Sequence, residues 1–203
     1  MKNRALPLVL AALLASAAHS PTVGATTMVP LSTNQLVDAS DTIVQGTIQQ
    51  VWTEEDSNGI VWTRTQIEVE RTLKGDGDRT SWVVDQMGGS WGNHKTIVHG
   101  RARFSVGEKA VFFIEALPSG RIVLVGMGQG KFTLRQDPYS RETIVQRFNP
   151  GEAKAYDHRF LPLPAEVDRK FLIDFVDTIE HRVEQGWDGI SIQIGRASCR
   201  ARV

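Results

Sequence analysis

A chain of 203 residues with a single cysteine cannot rest on a disulfide framework, yet it is long enough to bury a core, so one unstapled domain is expected. Its 23 Lys+Arg and 23 Asp+Glu balance only through the termini: setting aside Lys2, Arg4, Arg196, Arg200 and Arg202 leaves 18 basic against 23 acidic side chains. A body acidic by five charges, with no basic stripe, argues against nucleic acid or an anionic membrane as the main partner.

The first element is a basic head at Lys2 and Arg4, an apolar middle "ALPLVLAALLASAA" and small residues at Ala15, Ala17 and Ala25. That order is a secretory signal peptide, and the apolar run is shorter than the roughly 20 residues a membrane span requires. Two cuts fit it. One falls after Ala25 and assigns 1–25 to the signal; the other falls after Ala17. Either way the body is exported, to the periplasm or the exterior.

Ser32-Thr33-Asn34-Gln35 has the Ser-x-x-Gln form of a capping box, which predicts a short helix over about Thr33 to Ala39 with Leu36 and Val37 facing inward. From Asp41 the pattern turns to β. "DTIVQGTIQQVW" is rich in Ile, Val and Thr, "SNG" at Ser57 to Gly59 signals a hairpin, and "IVWTRTQIEVERTL" alternates. Val61, Ile67, Val69 and Leu73 share one face of that second strand, and Arg64, Gln66, Glu68 and Glu70 the other, so the hairpin is long and half exposed.

Further along, "KGDGD" turns into the strand "RTSWVVDQ", "GGSWGNH" is a loop, and "SVGEKAVFFIEALPSGRIVLVGMGQGKFTL" reads as strands joined by the "PSG" turn. "YSRETIVQRF" adds one more strand or an excursion. Many short strands at near-regular spacing predict a small barrel or a sandwich, and Gly46, Gly126, Gly128 and Gly130 fit the bulges and bends that let a sheet curl. After "RFLPLP", Val167, Phe171, Leu172, Phe175, Val176, Ile179 and Val183 recur at helical spacing, giving an amphipathic helix of about Ala165 to Gln185. The body therefore divides into a β domain over 26–150 and a linker with its terminal helix over 151–193.

The last ten residues, "IGRASCRARV", continue no earlier pattern. They resemble the translation of a DNA-sequencing adapter, Ile-Gly-Arg-Ala-Ser-Cys-Arg-Glu-Arg-Val, with Ala201 in place of Glu. Residues 194–203 are accordingly set aside as a non-native tail, a natural basic tail being the alternative, and Cys199 carries no argument for a thiol nucleophile or metal ligand.

Candidate chemistry is sparse. "GMGQGK" has three glycines and Lys131, but a phosphate loop needs G-x-x-x-x-G-K-[ST], and here Val125 stands at the first Gly position and Phe132 at the Ser/Thr position. The glycines read as structural, and no cofactor motif is present. His94 and His99 lie five apart, on opposite faces of a continuous strand, with no carboxylate nearby to complete a metal set. His181 sits beside Glu180 and Glu184 on a helix, and His158 follows Asp157 in "YDHRF". Ser90 in "GGSWG" lacks the nucleophile-elbow spacing. No catalytic residue is named. The loop Gly88 to His94 remains: Gly88, Gly89, Trp91 and Asn93 either bind a ligand or partner at the mouth of the fold, or Trp91 plugs its open end.

In order of elements, the chain resembles the netrin-type module, the OB-like barrel of the tissue inhibitors of metalloproteinases. "TTMVP" at Thr26 to Pro30 resembles their opening C-x-C-x-P, "SDTIVQG" at Ser40 to Gly46 their first strand, "LKG" at Leu73 to Gly75 the end of their second, and "VGEKAVFFI" with "GRIVLV" a later hairpin. The layout also resembles a group of exported bacterial proteins without assigned function, which share the opening helix, a "KG" turn, a "GG" loop and a "GKF" strand.

The resemblance implies a mainly β fold, a small OB-like closed barrel with a short N-terminal helix and the terminal amphipathic helix packed on it. It also implies a non-enzymatic binding module, a monomer, whose partner is another extracytoplasmic protein and, in the sharpest form, a zinc metalloprotease. In the inhibitors the first α-amine and carbonyl chelate the protease zinc and the second side chain enters its pocket. A cut after Ala25 gives Thr26 the first role and Thr27 the second, with Thr26 and Met28 standing where the inhibitors carry cysteines. A cut after Ala17 removes that role. The alternative is a small-ligand or glycan-binding barrel using the loop Gly88 to His94, with Trp91 as a stacking platform.

Overall fold

A computed structural model of the chain describes residues 29–147 and 169–186. In chain order the elements are α1 (Thr33–Ala39), β1 (Thr42–Glu55), β2 (Val61–Lys74), β3 (Ser81–Met87), β4 (Gly89–Trp91), β5 (His94–Thr96), β6 (Lys109–Ala116), β7 (Ile122–Leu124), a 3-10 turn (Met127–Gly130), β8 (Lys131–Gln136), β9 (Thr143–Arg147), β10 (Arg169–Phe171) and α2 (Leu172–Gln185). Among the described residues no helix is long and apolar enough to cross a membrane.

The protein is mainly β, with one helix before the strands and one after them. The main sheet runs β10-β9-β8-β6-β1-β2-β3, with β7 also on β6, and it curls without closing. The expected closed barrel is therefore an open half-barrel. The reason lies in β6, one edge of which pairs with β1 from Thr47↔Lys109 to Thr42↔Ile114. Its other edge is shared, Ala110 to Phe112 going to β8 and Ile114 to Ala116 to β7. The 3-10 turn diverts the chain between these two partners. A three-residue β7 lies beside β3 but makes no ladder with it, and β8 leads away to β9 and β10.

Both faces of the sheet are buried where β6 crosses it, which is why "AVFFI" is apolar without alternation. Val111 and Phe113 point to the helix side with Ile43, Phe132, Phe175 and Ile179; Phe112 and Ile114 point to the concave side with Val44, Ile48, Ile67 and Val84. On the helix side the rings of Phe132 and Phe175 stand 4.6 Å apart, with Phe113 at 5.5 Å from Phe132. Arg182 of α2 forks onto both carboxylate oxygens of Asp38 in α1, at 2.8 and 2.7 Å.

The capping box forms as expected: the Gln35 amide donates to Ser32 Oγ and the Ser32 amide to Gln35 Oε1. Residues 61–74 bury their odd positions at Val61, Thr63, Thr65 and Ile67. Two expectations shift. The terminal helix begins at Leu172 rather than near Ala165, because Arg169 to Phe171 ladder onto β9; Phe171 is then left 40% exposed. Positions 165–168 lie outside the described residues. The segment Gly88 to His94 is a second sheet rather than a loop, pairing Gly89↔Thr96 and Trp91↔His94.

Curling the sheet depends on Gly46, at a register shift in β1. A Cβ there would run into the Glu68 carbonyl oxygen on the neighbouring strand and lie 2.9 Å from Ile67 Cγ2. Gly46→Ala is expected to destabilise the fold by about 3 kcal/mol or more, at the upper end of overpacking costs. Urea unfolding midpoints measure this, and a change under 0.5 kcal/mol, roughly the surface level, would show that the strands can separate freely.

Candidate functional site

Of the residues singled out by sequence, Thr26, Thr27 and Met28 lie outside the described residues. Gly88, Gly89, Trp91 and Asn93 come together in the β4–β5 hairpin. Gly92 and Asn93 make its two-residue turn, with Gly92 at φ +54°. The hairpin lies against the outer half of the β1–β2 pair: Thr53 Oγ1 donates to the Ser90 carbonyl at 2.7 Å and Thr63 Oγ1 to the Gly88 carbonyl at 2.6 Å. Gly89 has φ +145°, and a Cβ on it would sit 2.7 Å from Thr53 Cγ2, so only glycine lets the hairpin come this close. Trp91 is 46% exposed, so it does not plug the fold; its ring stands at the surface of a fixed hairpin. The Ser90 side chain is exposed.

His94 Nδ1 lies 3.3 Å from Glu55 Oε1, a carboxylate 39 positions away that sequence spacing does not reveal. Gln185 Nε2 and His181 Nε2 are 2.8 Å apart on an exposed face of α2, and His158 lies outside the described residues. Among the described residues no three His, Cys, Asp or Glu side chains are placed to hold one metal ion.

Around the corner from the hairpin, charges span the seam where β3 meets β7. Arg121 donates to Asp85 Oδ2 and Asp56 Oδ2, each at 3.2 Å, and its guanidinium lies 3.7 Å from the centre of the Trp62 ring. Arg64 donates to the other oxygen of Asp85 at 2.9 Å and pairs with Glu54 at 3.1 Å. The Ile60 amide and then the Trp62 indole hold the Asp56 carboxyl below its usual range, while the Asp85 hydrogen bond holds Arg64 charged. Here ion pairs occupy the place of a backbone ladder.

Two further features join residues far apart in the sequence. The first is an anchor for the segment leading out of the N-terminal region. Gln129, within "GMGQGK", accepts from the Leu31 amide at 2.8 Å and donates to the Val29 carbonyl at 3.1 Å; Arg147 donates to the Leu31 carbonyl at 2.7 Å. Gly128 packs against Gly100, where a Cβ would be 2.7 Å from the carbonyl oxygen. No helix follows these glycines, so the motif is a bracket and not a phosphate loop.

The second is Lys131, 2% exposed, whose ammonium donates to Glu108 Oε1 and to the Arg103 carbonyl, both at 2.5 Å. Thr133 Oγ1 donates to the same oxygen at 2.6 Å, and the Ser105 amide to the other at 3.2 Å. Burial pushes the lysine below its ordinary value, against the pull of Glu108. No spacing rule links residues 23 apart. No protein-family model matches this chain, and no curated protein matches it.

Glu108→Ala leaves the buried ammonium without a counter-charge and is expected to cost about 3 kcal/mol, whereas Glu108→Leu with Lys131→Met is expected to cost less than half of that. Chemical unfolding of the three proteins decides the point. Equal losses in the single and double variants would mean that packing, not charge pairing, dominates at this site.

Proposed function

We propose that the chain is a non-enzymatic binding module, exported to the periplasm or the exterior, that acts on another extracytoplasmic protein. Its sharpest form is inhibition of a zinc metalloprotease by the segment that begins at Thr26, as the likeness of "TTMVP" to the inhibitors' opening suggests. The observation that supports it is the anchor at Val29 to Leu31. In the inhibitors disulfides hold the reactive arm; here Gln129 and Arg147 hold the backbone of Val29 and Leu31 by three hydrogen bonds, directly after the proposed arm. Ordering the base of an arm before encounter lowers the entropy lost on binding, which is the same service.

Chemically, Thr26 supplies an unprotonated α-amine and its carbonyl to the protease zinc, and Thr27 enters the pocket. An α-amine titrates near pH 8, so a useful fraction is free at neutral pH and inhibition strengthens as the pH rises toward that value. Protein starting at Thr26 is expected to slow a zinc endopeptidase, and one added N-terminal residue to abolish the effect. Steady-state peptide cleavage measures both, and inhibition that survives the addition would rule out chelation.

A second reading has its own support in Trp91. An aromatic face held half exposed on a glycine-locked hairpin suits stacking against a sugar ring or another flat ligand. On that reading Trp91→Ala removes retention on an immobilised glycan and leaves any protease effect intact. Loss of both activities together would instead place one shared surface behind them.

A further inference from the structure

One concavity lies apart from both the hairpin and the anchored segment. It is an open groove of about 800 Å³ where β6 begins, between β8 and the β1–β2 pair, within the range of small-molecule sites. Beyond Thr133, the edge of β8 that faced β6 has no strand beside it among the described residues. The gap so formed is the groove, and its lining charge is opposite to that of the body. Arg103, Lys109, Lys131 and Arg135 face Glu70 and Glu108, four cations to two carboxylates on a domain acidic by five.

Both carboxylates are already engaged. Glu70 accepts from Thr47 at 2.6 Å and pairs with Lys109 at 2.8 Å, and these contacts hold it below the usual carboxylate range. Glu108 is taken up by Lys131, Thr133 and the Ser105 amide. The Arg135 side chain, exposed on β8, makes no ion pair or hydrogen bond among the described residues. The buried Lys131 ammonium is held low by desolvation despite Glu108, so a second anion nearby would relieve it. A positive recess within a negative surface focuses the field and concentrates anions there.

We propose that this groove is a binding site for a small organic anion bearing a phosphate or carboxylate group, with Arg135 as its fork and the hydroxyls of Ser105 and Thr143 beside it. The site is separate from the surfaces discussed under the proposed function, and either can fail alone. Arg135 offers two parallel N–H donors that match either group, and the neighbouring hydroxyls suit a polar, hydroxylated body better than an apolar one.

The test is an amide-resolved NMR titration of the protein at constant ionic strength, with inorganic phosphate, galacturonate and neutral galactose as separate probes. At least one anion is expected to give saturable shifts confined to residues 103–109 and 131–136, while galactose gives none. The anion that saturates identifies the group. Arg135→Gln, at an exposed position, is expected to weaken that binding about tenfold with the rest of the spectrum unchanged. Shifts that fail to saturate with either anion, that are matched by galactose, or that are indifferent to Arg135→Gln would overturn the site.

Discussion

Everything in this fold hangs on β6 being covered on both faces and contacted along both edges. A strand in that position must be apolar throughout, and it must divide its second edge when two partners compete for it. That division keeps the sheet open. It also opens the seam with β3, which ion pairs bridge, and the gap beside β8, which becomes the groove. Seam and groove thus share one origin, the 3-10 turn that takes the chain off β6 after β7 and returns it as β8.

Local signals are legible where the physics is local. The capping box needs only Ser32 and Gln35, three apart; the β2 alternation needs only period two; the helical stripe of α2 needs only Phe175, Val176 and Ile179 at their spacing. The same stripe extended too far upstream, because Phe171 suits a strand edge as well as a helix face and periodicity cannot see β9 waiting to pair with it. Closure of the sheet is illegible for a related reason. Strand count and glycine bends are visible in a sequence, but which partner takes which half of an edge is not. The segment Gly88 to His94 carries the signature of a loop because three-residue strands are too short to show a period.

The polar features were the least legible. Gln129 reaches Leu31 across 98 positions, and Glu55 reaches His94 across 39. Each residue is unremarked in its own neighbourhood, and only the curled sheet brings it to its partner. "GMGQGK" illustrates the point. Its glycines are needed for close approach, and the informative residue is the glutamine between them, which no phosphate-loop comparison would single out. Lys131 is similar: a lysine in an apolar strand context such as "GKFTL" is a flag for a buried partner, though not for which one.

The anchor at Val29 to Leu31 also has a meaning in time. Gln129 and Arg147 follow Leu31 by 98 and 116 residues, so the segment is synthesised long before anything exists to hold it. Contacts of such separation form late, after the strands that carry them have closed the intervening loops. A segment made so far ahead of its partners is therefore among the last to be fixed. Its order is a seal on completed folding, and any surface built upon it comes into being only when the sheet behind it is whole.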